Sequence, residues 1–185
     1  MNMRQHSNEP VVLQRDVKAV MIPAGLEVTL RTGNIGYITQ ALGGSYTVYV
    51  EGNLFRIPSD QADAIGKEPF ARPELPPGAT DEDVKQLVWN QLKACYDPEI
   101  PINVVDLGLI YDCDVTRNED GSRDVNVRMT LTAPGCGMGE VLVQDVKDNV
   151  EAVPTIREAR VELVFDPPWD HSMMSEAARL ATGMM

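Results

Sequence analysis

The sequence is poor in the residues that most often announce chemistry. Its 185 positions hold three cysteines and two histidines. Cys95, Cys113 and Cys136 are odd in number and stand 18 and 23 residues apart, so they form no CxxC zinc pattern and no evident disulfide framework. Basic residues are also scarce: 16 Lys and Arg face 28 Asp and Glu, a net charge of −12. That deficit argues against nucleic acid and anionic membrane surfaces as partners, since both reward Lys and Arg. No run of 18 apolar residues occurs, and the first ten residues lack the apolar stretch of a secretory signal. The expected compartment is a reducing cytoplasm with free thiols.

What is present is an ordinary globular composition, 43 % apolar and 24 % charged, long enough for one large domain or two small ones. The charge decides between these. Residues 1–78 carry 7 basic and 8 acidic side chains, a net of −1, whereas residues 79–185 carry 9 and 20, a net of −11. This asymmetry predicts two domains: a β-rich module over 1–66, a proline-rich linker over 67–79, and an α/β domain over 80–185. The four prolines between Lys67 and Gly78 stiffen the linker toward polyproline II.

The first part reads as short strands. Alternation at Val28 and Leu30, runs at 36–42, 46–51 and 54–57, and intervening glycine-containing turns predict a small antiparallel, barrel-like sheet. Shorter runs at 11–13 and 19–22 add strands. The module carries no chemical constellation and reads as structural or docking.

The second part opens with Thr80, which caps a helix, and Asp83 in the position of its capping-box partner. Val84, Leu87, Val88, Leu92 and Cys95 then recur on one helical face. Residues 109–115 and 124–131 alternate and are joined by a polar turn, so they predict a hairpin. A second helix is expected over 139–150, a strand over 157–165 and a last helix over 172–181. The order α-β-β-α-β-α gives an α+β domain folded as a two-layer α/β sandwich.

Three loops could hold chemistry. The first, 95–109, places Asp97, Glu99 and Asp106 beside Pro98 and Pro101; prolines fix the backbone, and paired carboxylates can bind a hard cation, accept hydrogen bonds or act as acid and base. A purely local role, Asp97 as turn initiator and Asp106 as loop cap, stands beside that reading. The second loop runs Thr130-Leu131-Thr132-Ala133-Pro134-Gly135-Cys136-Gly137-Met138-Gly139. It leads from a strand into a helix, so it brings the Cys136 thiol toward free N–H groups that stabilise a thiolate. Such turns also occur where nothing binds. Cys95 and Cys113 read as buried apolar positions. The third loop, Phe165 to His171, is a rigid turn with Trp169, and His171 is its one candidate base for a thiol enzyme.

Taken together, Asp97-Pro98-Glu99 with Val104 to Ile110, the Met129 to Cys136 stretch, and Phe165 to Trp169 resemble the signature of an iron–sulfur assembly domain family. The resemblance spans residues 80–183. It implies an auxiliary, non-enzymatic factor in iron–sulfur cluster maturation. Cys136 would be the reactive thiolate that handles cluster or iron transiently. Asp97, Pro98, Glu99, Asp106, Thr130, Thr132, Gly135, Gly137 and Trp169 would be its supporting positions. One thiolate cannot hold a cluster that takes four cysteines, so no stably bound cofactor is expected. Two protomers, each giving Cys136, would make a homo-oligomer. The expected partners are iron–sulfur carrier or client proteins. Two other readings stand beside this one: an acidic adaptor that binds basic partner surfaces without metal chemistry, and a thiol enzyme pairing Cys136 with His171.

Overall fold

A computed structural model describes residues 8–42, 45–97, 100, 102–133 and 138–183. The chain divides into two compact units, Met1–Ala71 and Arg72–Met185. The division falls inside the proline-rich stretch, which therefore contributes residues to both units.

The first unit is an antiparallel sheet of six strands: β1 (Glu9–Val12), β2 (Val17–Ile22), β3 (Leu26–Leu30), β4 (Ile35–Leu42), β5 (Ser45–Val50) and β6 (Asn53–Pro58). Their order is β1-β4-β5-β6-β2-β3, which puts β1 and β3 at its two ends. The β5–β6 hairpin closes on Glu51 and Gly52, both at positive φ, 47° and 87°. Two such residues make the tight turn whose twist matches that of the flanking strands. Leu13, Ile38, Val48 and Ile57 fill the core, and a 3₁₀ turn (Ser59–Ile65) adds Ala62, Ala64 and Ile65 to it.

The second unit is α+β. Helix α1 (Asp81–Lys93) starts at a capping box in which the Thr80 hydroxyl accepts the Asp83 N–H and the Asp83 carboxylate accepts the Thr80 N–H. Strands β7 (Ile110–Arg117) and β8 (Arg123–Met129) form an antiparallel hairpin. Helix α2 (Gly139–Glu151) then crosses over to β9 (Ile156–Leu163), which pairs parallel with β8. A parallel neighbour needs a crossover of this length, since a tight turn can join only antiparallel strands. Val84, Val88 and Leu92 of α1 and Leu142, Val146 and Val150 of α2 bury their stripes against Val125, Val127, Met129 and Ala159. Layering both helices on the sheet is what makes the apolar stripes pay off in stability, as about 1.5–3 kcal/mol accompanies each fully buried aliphatic side chain.

Two local expectations change. Cys95 lies beyond the end of α1, with its N–H on the Leu92 carbonyl, and it is buried because the chain turns inward there. The single last helix is two elements, a 3₁₀ turn (His171–Met173) and α3 (Glu176–Thr182). Asp170 caps the first by accepting the Ser172 N–H, and Ser175 caps the second by accepting the Ala178 N–H. Between them Met174 is extended and only 4 % exposed, so burial of its side chain interrupts the helix.

Candidate functional site

Because β7 runs against β8 and β9 runs with it, the start of β7 and the ends of β8 and β9 share one edge of the three-stranded sheet. Each of the three loops singled out in the sequence begins or ends there.

The first loop is folded back on itself. Tyr96 and Asn103 form an isolated antiparallel bridge, and the Val104 N–H reaches the Cys95 carbonyl at 2.9 Å. The Asp97 carboxylate accepts the Ile100 N–H at 2.9 Å. Asn103 holds Asp106 twice: its Oδ1 accepts the Asp106 N–H at 2.9 Å, and its Nδ2 donates to the Asp106 carboxylate at 2.6 Å. Asp97 and Asn103 thus bond nearby backbone N–H groups in the manner of Asx turns, and the Asp106 carboxylate is held by the Asn103 side chain. Val104, Leu107 and Leu109 anchor the loop in the core.

The third loop is tied to the first. The Trp169 indole N–H donates to the Leu107 carbonyl at 2.7 Å, and the Ser175 N–H donates to the Asp106 carbonyl at 2.8 Å. The Tyr111 hydroxyl, from β7, donates to the Pro167 carbonyl at 2.6 Å. Gly108 has φ +76°, and a Cβ there would lie 2.2 Å from the Met173 carbonyl oxygen. Only glycine allows this approach. His171 is exposed and meets Trp169 edge-on at 5.3 Å. Asp170 accepts hydrogen bonds from the Ser172 hydroxyl and N–H, which hold its carboxyl below the usual carboxylate range.

The second loop joins the same cluster through its first residues. The Thr130 N–H donates to the Leu109 carbonyl and the Val164 N–H to the Met129 carbonyl, both at 2.8 Å. Thr130 is 1 % exposed, and its hydroxyl has no hydrogen-bond partner among the described residues. Orphaned hydroxyls of this kind are rare in folded proteins. Thr132 is half-buried. At the far end of the loop α2 begins at Gly139, packed under Leu131, and the Met138 side chain caps none of its N–H groups. Uncapped N–H groups of a helix start favour a nearby anion. Pro98, Glu99, Gly135, Cys136 and Gly137 lie outside the described residues.

The other two cysteines are buried. Burial first, and then the carboxylates of Asp114 and Asp112, push the Cys113 thiol up to about 11. Cys95 is inside the α1–α2 core, where its sulfur accepts from the Asn149 side chain at 3.1 Å. Among the described residues no group of three or more His, Cys, Asp or Glu is placed to hold a metal ion, and no helix is long and apolar enough to cross a membrane.

Sequence reasoning missed four residues of this cluster: Asn103, Gly108, Tyr111 and Met173. Of these Gly108 alone left a signal, as a glycine inside a run of apolar residues.

A two-layer α+β domain whose three motif loops are hydrogen-bonded together at one sheet edge is the frame that these features define. The chain belongs to the iron–sulfur cluster assembly protein family, whose model matches residues 85–163. It is 44 % identical over 106 residues to an Fe–S protein maturation auxiliary factor of Porphyromonas gingivalis, a match that takes in 57 % of this chain and 93 % of that one. It is 40 % identical over 88 residues to the Fe–S protein maturation auxiliary factor SufT of Staphylococcus aureus, covering 48 % and 96 %. A solved structure from Bacillus anthracis, described as a domain of unknown function, is 36 % identical and covers 56 % of this chain and 95 % of its own, with a TM-score of 0.48.

Proposed function

We propose that this chain is a cytoplasmic, non-enzymatic auxiliary factor in the maturation of iron–sulfur proteins, with Cys136 as the thiolate that handles iron or a cluster as cargo. The observation that carries this reading is the family membership, joined to the convergence of its three motif loops on one sheet edge. Relatives that align over nearly their whole length are named as maturation factors. Within the chain, burial of Cys95 and Cys113 sets them apart from cargo chemistry. Cys136 stands three residues before Gly139, where α2 begins without a side-chain cap from Met138, in the sequence context that favours a thiolate. Asp97, Asp106 and Trp169 act as supports: their hydrogen bonds fix loops and leave cargo handling to the thiol. Pro98, Glu99, Thr130, Thr132, Gly135 and Gly137 complete the supporting set by sequence.

The cargo is held transiently, because one thiolate supplies a quarter of the usual four cysteine ligands. A second protomer's Cys136 makes two ligands, and exogenous thiols or carboxylates complete the set of four during transfer. The partners are iron–sulfur carriers and clients. To test this, wild type and Cys136→Ser are incubated anaerobically with iron and sulfide and then with an apo-protein that needs a cluster. The variant is expected to take up less iron and to fail in transfer. Equal uptake and transfer by both would overturn the role of Cys136.

A further inference from the structure

Strand β7 enters its sheet with a register shift. Ile110 pairs with Met129 and Asp112 with Arg128, so Tyr111 is the extra residue of a β-bulge. Bulges re-aim a side chain. The Tyr111 hydroxyl reaches the third loop, where it donates to the Pro167 carbonyl at 2.6 Å and lies 3.6 Å from the Met173 sulfur. A phenol has one proton to donate, and a thioether is a weak acceptor, so the carbonyl holds it. Met173 is half-buried, whereas Met129, Met138 and Met174 are 0, 1 and 4 % exposed. The Met173 backbone lies against Gly108 of the first loop. An accessible sulfur thus stands beside the hydroxyl that ties the third loop to β7.

We propose that Met173 is a reversible oxidation site, and that a peroxide acting on it moves the Tyr111 hydrogen bond from Pro167 to Met173. The step is a two-electron oxygen transfer. With hydrogen peroxide, the O–O bond breaks and an S–O bond forms at Met173 Sδ. The sulfur is oxidised to the sulfoxide, and the peroxide is reduced, its second oxygen leaving as water with both protons. The product side chain is polar, and its new oxygen sits on the sulfur that Tyr111 already faces. The phenol proton then has a second acceptor within reach, and the Pro167 carbonyl loses its partner. Pro167 stands two residues before Trp169, whose indole N–H holds the Leu107 carbonyl. The exchange therefore reaches the tie between the first and third loops. Exposure selects the residue, since Met174, next in the chain, is sealed in the core. The loop cluster accordingly has two arrangements, chosen by the oxidation state of one sulfur. Reduction restores the first: two thiols supply the electrons, become a disulfide, and the sulfoxide oxygen leaves as water.

This proposal stands on the hydrogen bonds of the α+β unit and does not depend on Cys136 as the cargo thiolate. To test it, the full chain is treated with hydrogen peroxide while mass spectrometry follows each methionine. In parallel, NMR follows the indole N–H resonances of Trp89 and Trp169, the two tryptophans of the chain. Met173 is expected to oxidise about tenfold faster than Met129, Met138 and Met174. The Trp169 resonance should move as the Met173 sulfoxide forms, while that of Trp89 stays. Methionine sulfoxide reductase with dithiothreitol should return it. Tyr111→Phe lacks the hydroxyl, so its Trp169 resonance should be displaced before peroxide is added and move no further. In Met173→Leu it should keep the wild-type position throughout. The oxidation and reduction of wild type decide the matter where a variant folds poorly. Met173 reacting no faster than the buried methionines, or a Trp169 resonance unmoved by the sulfoxide, would overturn the proposal. So would an equal movement on peroxide treatment of Tyr111→Phe or of Met173→Leu.

Discussion

The Trp169 indole N–H donates to the Leu107 carbonyl at 2.7 Å, joining segments 62 residues apart in the chain. With the Ser175-to-Asp106 backbone bond, it makes the first and third motif loops one structure. Trp169→Phe keeps most of the ring and removes the donor. A loss of about 1 kcal/mol in urea unfolding is expected, since the Leu107 carbonyl is left without its partner. An unchanged midpoint would show that the bond contributes nothing to stability.

Gly108 and Gly121 offer a matched comparison. Both have positive φ, +76° and +85°, but a Cβ at Gly108 meets the Met173 carbonyl whereas at Gly121 it meets nothing within 4 Å. Gly121→Ala should cost about 1 kcal/mol, the backbone penalty alone. Gly108→Ala should cost more than about 2 kcal/mol, because the 171–173 turn must move away as well. Equal losses in chemical denaturation would refute the close approach.

Asp81 links α1 to β8. Its carboxylate accepts from the Arg123 Nε at 2.9 Å, and the hydrogen bonds from Arg123, with the charges of Arg123 and Arg117, hold its carboxyl below the usual range. A depressed carboxyl pKa adds stability that is present above the unfolded value, near 3.8, and is lost as pH falls through the folded one. Asp81→Asn should therefore unfold more easily than wild type at pH 7, and the gap should narrow as pH falls below 3.8. A gap independent of pH would assign the effect to shape instead of charge.

Thiol labelling separates the three cysteines. With its thiol at about 11, Cys113 is ionised to roughly one part in a thousand at pH 8, and burial shields it further. Native protein should take up one equivalent of iodoacetamide quickly, and Cys136→Ser should take up none until it is unfolded. Mass spectrometry that finds rapid labelling at Cys95 or Cys113 would contradict their burial.

Thr130 carries a fully buried hydroxyl without a hydrogen-bond partner among the described residues. Thr130→Val keeps the shape and removes the orphan group, so thermal unfolding should shift upward by an amount equivalent to about 1 kcal/mol. A downward shift would mean that the hydroxyl is satisfied in solution.

Much of this was legible in residue order. Thr80 and Asp83 announced the start of α1, because a capping box is read from two side chains three residues apart. The 3.6-residue recurrence of Leu142, Val146 and Val150 announced the buried stripe of α2. The three loops were visible from proline, glycine and acidic spacing. The break at Met174 was not legible, since a helix pattern continues through it and only burial of that side chain explains the extended residue. Nor were the hydrogen-bond partners of Asp97 and Asp106, whose spacing fits cation binding and loop capping equally well.

Residue order alone determined the scarcity of basic and thiol groups, the concentration of acid in residues 79–185, and the alternation that forms each strand and helix, because these depend on composition and on neighbours within a few positions. Tertiary structure decided which strand pairs with which, the parallel seating of β9, and the joining of Leu107 to Trp169 and of Tyr111 to Pro167. It also decided which face of the six-stranded sheet stays open. Those outcomes depend on contacts between residues tens of positions apart, and such contacts form only when the chain closes its loops and buries its apolar faces together.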